Sequence, residues 1–334
     1  MFNALSKFGY RQIPSWAHPS HPIMRTVLGR SNRLKWSRRI FLWLILLLVT
    51  TAAIAAGYII AGTTTENTEP TISEILYWPL VGAQTLAMIL AIAMTTNAVN
   101  IERQKQTWDS LKLSLAGVGL TLRARWAAVF YRLSWLLFVI TIGRLVYIGI
   151  LLDDMTEFQG RALDLRISGI TPSVSLDLTV IIISLHMTAF VIQPFVAVAL
   201  AAAAGLVVSV FMRGRGVMIL GLGLLIALRL LITVGSILLG NSVLENIGLG
   251  VKPELAEIAN ENTVDAWYRL ILSSAEGDQM LKILNLDTLG QIWADIDYGI
   301  YLGAIMLIVV LVEAILANML VIFAAWRASK PTND

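Results

Sequence analysis

Apolar and polar positions fall in long blocks along this chain, unlike the short alternation of an amphipathic helix or strand in a soluble core. Six stretches, 40–61, 76–99, 126–152, 178–212, 217–239 and 299–326, are apolar almost throughout. Each meets the roughly 20 residues a helix needs to cross a hydrocarbon core. The pattern therefore predicts an all-α, polytopic membrane protein with six transmembrane helices. The fourth stretch is too long for a straight crossing, so a tilt, a bend near Gln193–Pro194 or an extension beyond the bilayer is expected.

The polar blocks set the orientation. Residues 1–39 hold eight basic residues and no acid, which predicts a cytoplasmic amino-terminal segment. Within it Ile23, Val27, Leu34 and Trp36 predict a short interfacial helix entered through Pro22. With the amino terminus inside, six crossings return a cytoplasmic tail at 328–334. On the side so assigned to the cytoplasm, 18 basic residues face three acids; the opposite side carries 18 acids against five basic residues. That asymmetry is what the positive-inside rule demands.

The outer segments 63–75 and 153–175 are short, whereas 240–298 is long and contains helical stretches. Leu255, Ile258, Trp267, Leu270 and Ile271 can pack back on the membrane mouth, so a small helical cap or helices that dip into the outer leaflet are expected there. The alanine-rich run 199–208 predicts close helix packing.

Composition agrees with the pattern. The chain has 334 residues, 57% hydrophobic and 14% charged, with a mean hydropathy of +0.74, which no single soluble core could bury. It has no cysteine, so disulfides, thiolate metal ligands and a cysteine nucleophile are excluded. Three histidines, His18, His21 and His186, form no close ligand cluster, and no phosphate-binding loop is present. The expectation is a non-enzyme with no metal and no cofactor. A nucleic-acid partner is not expected either, because the basic blocks abut membrane spans.

Ionisable and strongly polar residues inside predicted spans are the next candidates. Arg229 and Glu313 lie near the middles of the fifth and sixth spans, where they can lock two helices as an ion pair or line a path. Arg144 lies toward the outer end of the third span and is expected to snorkel or to meet Asp153 or Asp154. His186 and Gln193 in the fourth are expected to hydrogen-bond between helices.

The block at 101–125 carries the one motif. A helix begun near Glu102 places Trp108, Leu111, Leu115, Val118 and Leu122 on one stripe, with Arg103, Lys105, Lys112, Arg123 and Arg125 largely outside it. Its start, Glu102-Arg103-Gln104-Lys105-Gln106-Thr107-Trp108-Asp109-Ser110-Leu111, resembles the segment after the second membrane helix of ABC-2 type transporter permeases, E-R-x-[KR]-G-T-x-[ED]-x-L. Gln106 replaces the usual glycine, and the proline often found downstream is missing. His21-Pro22-Ile23-Met24-Arg25 is similar to the family's N-P-[IVL]-x-[RK] entry to an interfacial elbow helix, with His in place of Asn.

This resemblance implies a six-span permease domain over 40–327 whose coupling helix, 101–125, docks on a separate cytoplasmic ABC ATPase. Glu102, Arg103, Thr107, Trp108, Asp109 and Leu111 would make that contact. It further implies a second permease chain, surrounding membrane lipids, a bacterial cytoplasmic (inner) membrane location, and export by alternating access. Two other classes fit the composition: a secondary transporter using Arg229 and Glu313, and a non-transporting membrane scaffold or accessory subunit.

Overall fold

The computed structural model describes residues 14–29, 51–60, 62, 72–104, 108, 117–167, 176–212, 214–248, 268–269, 271–274 and 301–330. Among these the chain is helical and has no strand. A 3-10 turn, Ser15–Ala17, precedes α1 (Pro22–Leu28). Then come α2 (Thr51–Ile60), α3 (Ile72–Thr96), α4 (Ala98–Gln104), α5 (Gly117–Ile167), α6 (Leu176–Phe211), α7 (Arg215–Gly248) and α8 (Leu302–Ser329). Five of them, α3 and α5 to α8, include stretches long and apolar enough to cross a membrane, and on that ground the chain is an integral membrane protein. Of the first predicted span, only 51–60 and 62 are described; the rest of 40–61 lies outside the described residues.

Helix α6 organises the bundle. It packs on α8, α3, α5, α7 and α4, and 67% of its apolar stretch is buried, against 17% for α7. The physical reason is its alanine-rich middle. Water does not drive one apolar helix onto another inside lipid, so close backbone approach and interhelical hydrogen bonds must do it. Ala197, Ala199, Ala201, Ala202 and Ala203 are buried there. At Gly205 an added Cβ would collide with the Thr95 hydroxyl and lie 3.0 Å from the Ile92 carbonyl oxygen.

Two contacts fix how α3 and α6 align. Gly205 sits against Thr95, and the Ser209 hydroxyl accepts from the Val99 N–H at 2.8 Å. Both pairs are 110 residues apart in sequence, so the two helices run parallel in one register. Ser209 thereby satisfies a backbone donor at the break between α3 and α4. In contrast α5 runs antiparallel to α6: Arg144 meets Phe190, while Trp126, earlier in α5, donates to the Ala199 carbonyl, later in α6, at 2.9 Å.

Helix α8 presents Gly303, Met306, Val310, Glu313, Ala317, Val321, Ala324 and Ala328 as its buried stripe, the three-to-four spacing of a helix with one inward face. Gly303 lets it close on α6, because a Cβ there would clash with the Ile182 carbonyl oxygen and crowd His186. At this same end Ile271, from the segment 240–298, packs against the cluster of Tyr77, Leu80, Phe190 and Met306. Leu255, Ile258, Trp267 and Leu270 lie outside the described residues.

Three expected boundaries change. Helix α5 has 51 residues, about 75 Å at 1.5 Å per residue, so 153–167 extends the third span as helix. The interfacial helix stops at Leu28, because Gly29 has φ 78°, so it does not run continuously to Leu34 or Trp36. The stripe expected over 101–125 divides at Gly117, whose φ of 65° is left-handed and starts α5 afresh.

Candidate functional site

The end of the bundle that carries the motif is built from four pieces. Helix α4 leaves α3 at Asn97 and carries Glu102 and Arg103 near its end. Glu102 forms a salt bridge with Arg125 in the third turn of α5, and both side chains are largely covered, at 18% and 17% exposure. That partial burial removes some of the solvent screening that makes exposed pairs weak. Arg103 lies over the Trp108 ring at 5.6 Å. Trp108 is 8% exposed and packs with Val99, Leu122, Leu206, Val321 and Ala324.

The motif is therefore pinned twice: by charge to α5, and by the indole to a cluster shared by α4, α5, α6 and α8. The indole lies among residues of its own chain, so Trp108 anchors the segment. Thr107, Asp109 and Leu111 lie outside the described residues.

Beside this hook, α1 docks on the base of α5. Met24 is completely buried against Ala124, Ala127 and Ala128. The Tyr131 hydroxyl donates to the Ala17 carbonyl at 2.9 Å, and the Arg132 guanidinium donates to the Val27 carbonyl at 2.8 Å. The second contact satisfies a carbonyl in the last turn of α1. The face expected to lie on lipid is thus partly covered by protein, because small alanines on α5 leave room for Met24.

Deeper in the bundle lies a polar node that the sequence marked only in fragments. Pro194 sits inside α6 and has no N–H, so the Phe190 carbonyl loses its helical donor. Arg144 supplies one: its guanidinium donates to the Phe190 carbonyl and to Gln193 Oε1 at 3.4 Å, and it lies over the Phe190 ring at 4.3 Å. Arg144 is completely buried. The expectation that it snorkels or meets Asp153 or Asp154 is corrected, since the orphan carbonyl and the ring hold it inside. By the register of α3 on α6, Gln84 is level with Pro194. Gln84 is completely buried too, and neither amide atom has a hydrogen-bond partner.

The other intramembrane residues separate. His186 is buried against Gly303, and its Nε2 has no hydrogen-bond partner, so packing, not an interhelical bond from that atom, positions it. Glu313 is on the buried stripe of α8 and Arg229 is half-buried on α7. Helix α7 packs on α3 and α6, and α8 packs on α6 and α5. Among the described residues no group of three or more acidic or histidine side chains is placed to hold a metal.

Residues that sequence reasoning missed are Arg125, Tyr131, Arg132, Met24 and the role of Pro194. A signal existed for the last: a proline within a predicted span requires an outside donor for the carbonyl four residues earlier, and an intramembrane arginine is an obvious source. Comparison of the chain with protein families, with curated proteins and with solved structures found no match.

Proposed function

We propose that this chain is the membrane-spanning subunit of an ABC transporter of ABC-2 type, driven by a separate cytoplasmic ATPase. What carries the reading is the placement of the motif. The segment beginning Glu102-Arg103 is at the bundle end that gathers Arg25, Arg103, Arg125, Arg132 and Arg327, the side that the positive-inside rule assigns to the cytoplasm. It is tied there to α5 through Arg125 and to α6 and α8 through Trp108. A push on such a segment would reach three long helices without being absorbed by a loose loop. An ATPase closing on it could shift the helices between two arrangements, which is what alternating access requires. In this reading two permease chains pair, and the direction is export.

The test is a mild-detergent purification of the tagged chain with an ATPase assay on the complex. A stoichiometric ATPase subunit is expected. Glu102→Arg and Arg125→Glu should each lower the coupled activity about tenfold, and the double exchange should restore part of it, because the ion pair and not either residue transmits the movement. Absence of any ATPase would remove the proposal and leave a membrane scaffold or accessory subunit as the reading to pursue.

A further inference from the structure

The last turns of α6 and α8 build a surface that neither the motif nor the buried node uses. Phe211 closes α6, and Phe323 of α8 stacks beside it with ring centres 6.0 Å apart and planes 26° apart. Trp326 continues the row at 5.9 Å from Phe323. Two cations are laid on these rings: Arg327 lies 5.8 Å from the Phe211 centre, and Lys330 Nζ lies 3.6 Å from the Trp326 centre. The rings remain 50%, 41% and 52% exposed in chain order. No ion pair joins Arg327 or Lys330 to an acid among the described residues.

The position gives this chemistry its meaning. The apolar stretches of α6 and α8 end at Phe211 and Ser329, so the aromatic row stands where hydrocarbon gives way to headgroups. It is the same end as Trp108, which shares a cluster with Val210 and Ala328. Ring faces hold the two cations without neutralising them, and the sequence adds Arg213 and Arg215 directly after Phe211. Exposed rings that can receive glycerol and upper acyl carbons, topped by unneutralised cations, match an amphiphile with a negative head.

We propose that Phe211, Phe323, Trp326, Arg327 and Lys330 form a binding site for the headgroup phosphate of an anionic glycerophospholipid in the leaflet at the basic end of the bundle. Arg327 and Lys330 hold the phosphate, and the three rings hold the glycerol and proximal chain. The site stands whether or not the chain couples to an ATPase.

Native mass spectrometry of the full chain, released from nanodiscs of phosphatidylcholine containing a minority of phosphatidylglycerol, tests it. The wild-type chain should retain phosphatidylglycerol in preference to phosphatidylcholine. Arg327→Gln and Lys330→Gln should each reduce that retention about fivefold, following the roughly 1 kcal/mol that one basic residue contributes near an anionic surface. Phe211→Ala with Phe323→Ala should reduce retention of both lipids. These side chains are exposed, so helix content and monodispersity should be unchanged, and a variant that fails either check is replaced by Arg327→Lys, which should keep most of the retention. Equal retention of the two lipids by wild type, full retention by the Arg327→Gln, Lys330→Gln double variant, or displacement of the lipid by inorganic phosphate alone would overturn the assignment.

Discussion

Arg144 is the residue whose chemistry is most fully accounted for. A buried arginine is tolerable only where its donors meet acceptors, and here the acceptor is created by Pro194 four residues beyond Phe190. Replacing Arg144 by Leu should leave the Phe190 carbonyl unsatisfied and lower stability by about 1–3 kcal/mol. Adding Pro194→Ala restores an N–H at position 194, so the double variant should recover much of the loss in thermal unfolding in detergent. If Pro194→Ala recovers nothing, the guanidinium is not acting as the missing helical donor. The chain showed each part of this node separately; that Arg144 lies beside Phe190, 46 residues away, depends on how α5 and α6 pack.

Among the helices, α6 and α8 approach each other closely enough to bring backbone against backbone. Gly303 meets the Ile182 carbonyl, and a carbonyl on a helix axis cannot rotate away as a flexible side chain can. Gly303→Ala should therefore destabilise the protein, although alanine favours helix by about 1 kcal/mol over glycine. Gly149 in α5 has nothing within 4 Å of an added Cβ, so Gly149→Ala should be neutral or slightly stabilising. Melting temperatures of the two variants in one detergent check the contrast, and equal shifts would mean that the α6–α8 approach is not tight. The helix lengths were partly legible beforehand. The apolar runs marked α3, α6, α7 and α8, but not the extension of α5 to Ile167, because Asp153, Asp154 and Glu157 read as the end of a span. Charged residues are compatible with helix; they only stop it from lying in hydrocarbon.

For the molecule as a whole, the arrangement is a centre and a rim. Helix α6 is enclosed while α7 exposes Leu220, Leu224, Leu228 and Leu231, at 75%, 69%, 51% and 70%. Because the chain has no cysteine, single-cysteine spin labels can be placed without background. Labels at Leu224→Cys and Leu231→Cys should show strong contact with oxygen dissolved in the bilayer, and a label at Ala203→Cys, in the core, should be immobilised with weak contact. Immobilised labels at both α7 positions would show instead that another surface covers this helix. Hydropathy could not rank α6 and α7 in this way, since both are strongly apolar; alanines and a glycine at 201–205, against leucines on α7, were the only hint.

By itself the sequence determined the class: long apolar runs need lipid, because dehydration of a helix is a local property of the chain. It also held the motif at Glu102–Leu111. Only the tertiary structure decided which partners those residues take. Glu102 reaches Arg125, Trp108 turns into the core, and Arg144 caps a carbonyl. Such pairings depend on helix order and register, which follow from how small residues let backbones approach and where a proline leaves an acceptor unsatisfied; no local period along the chain encodes them.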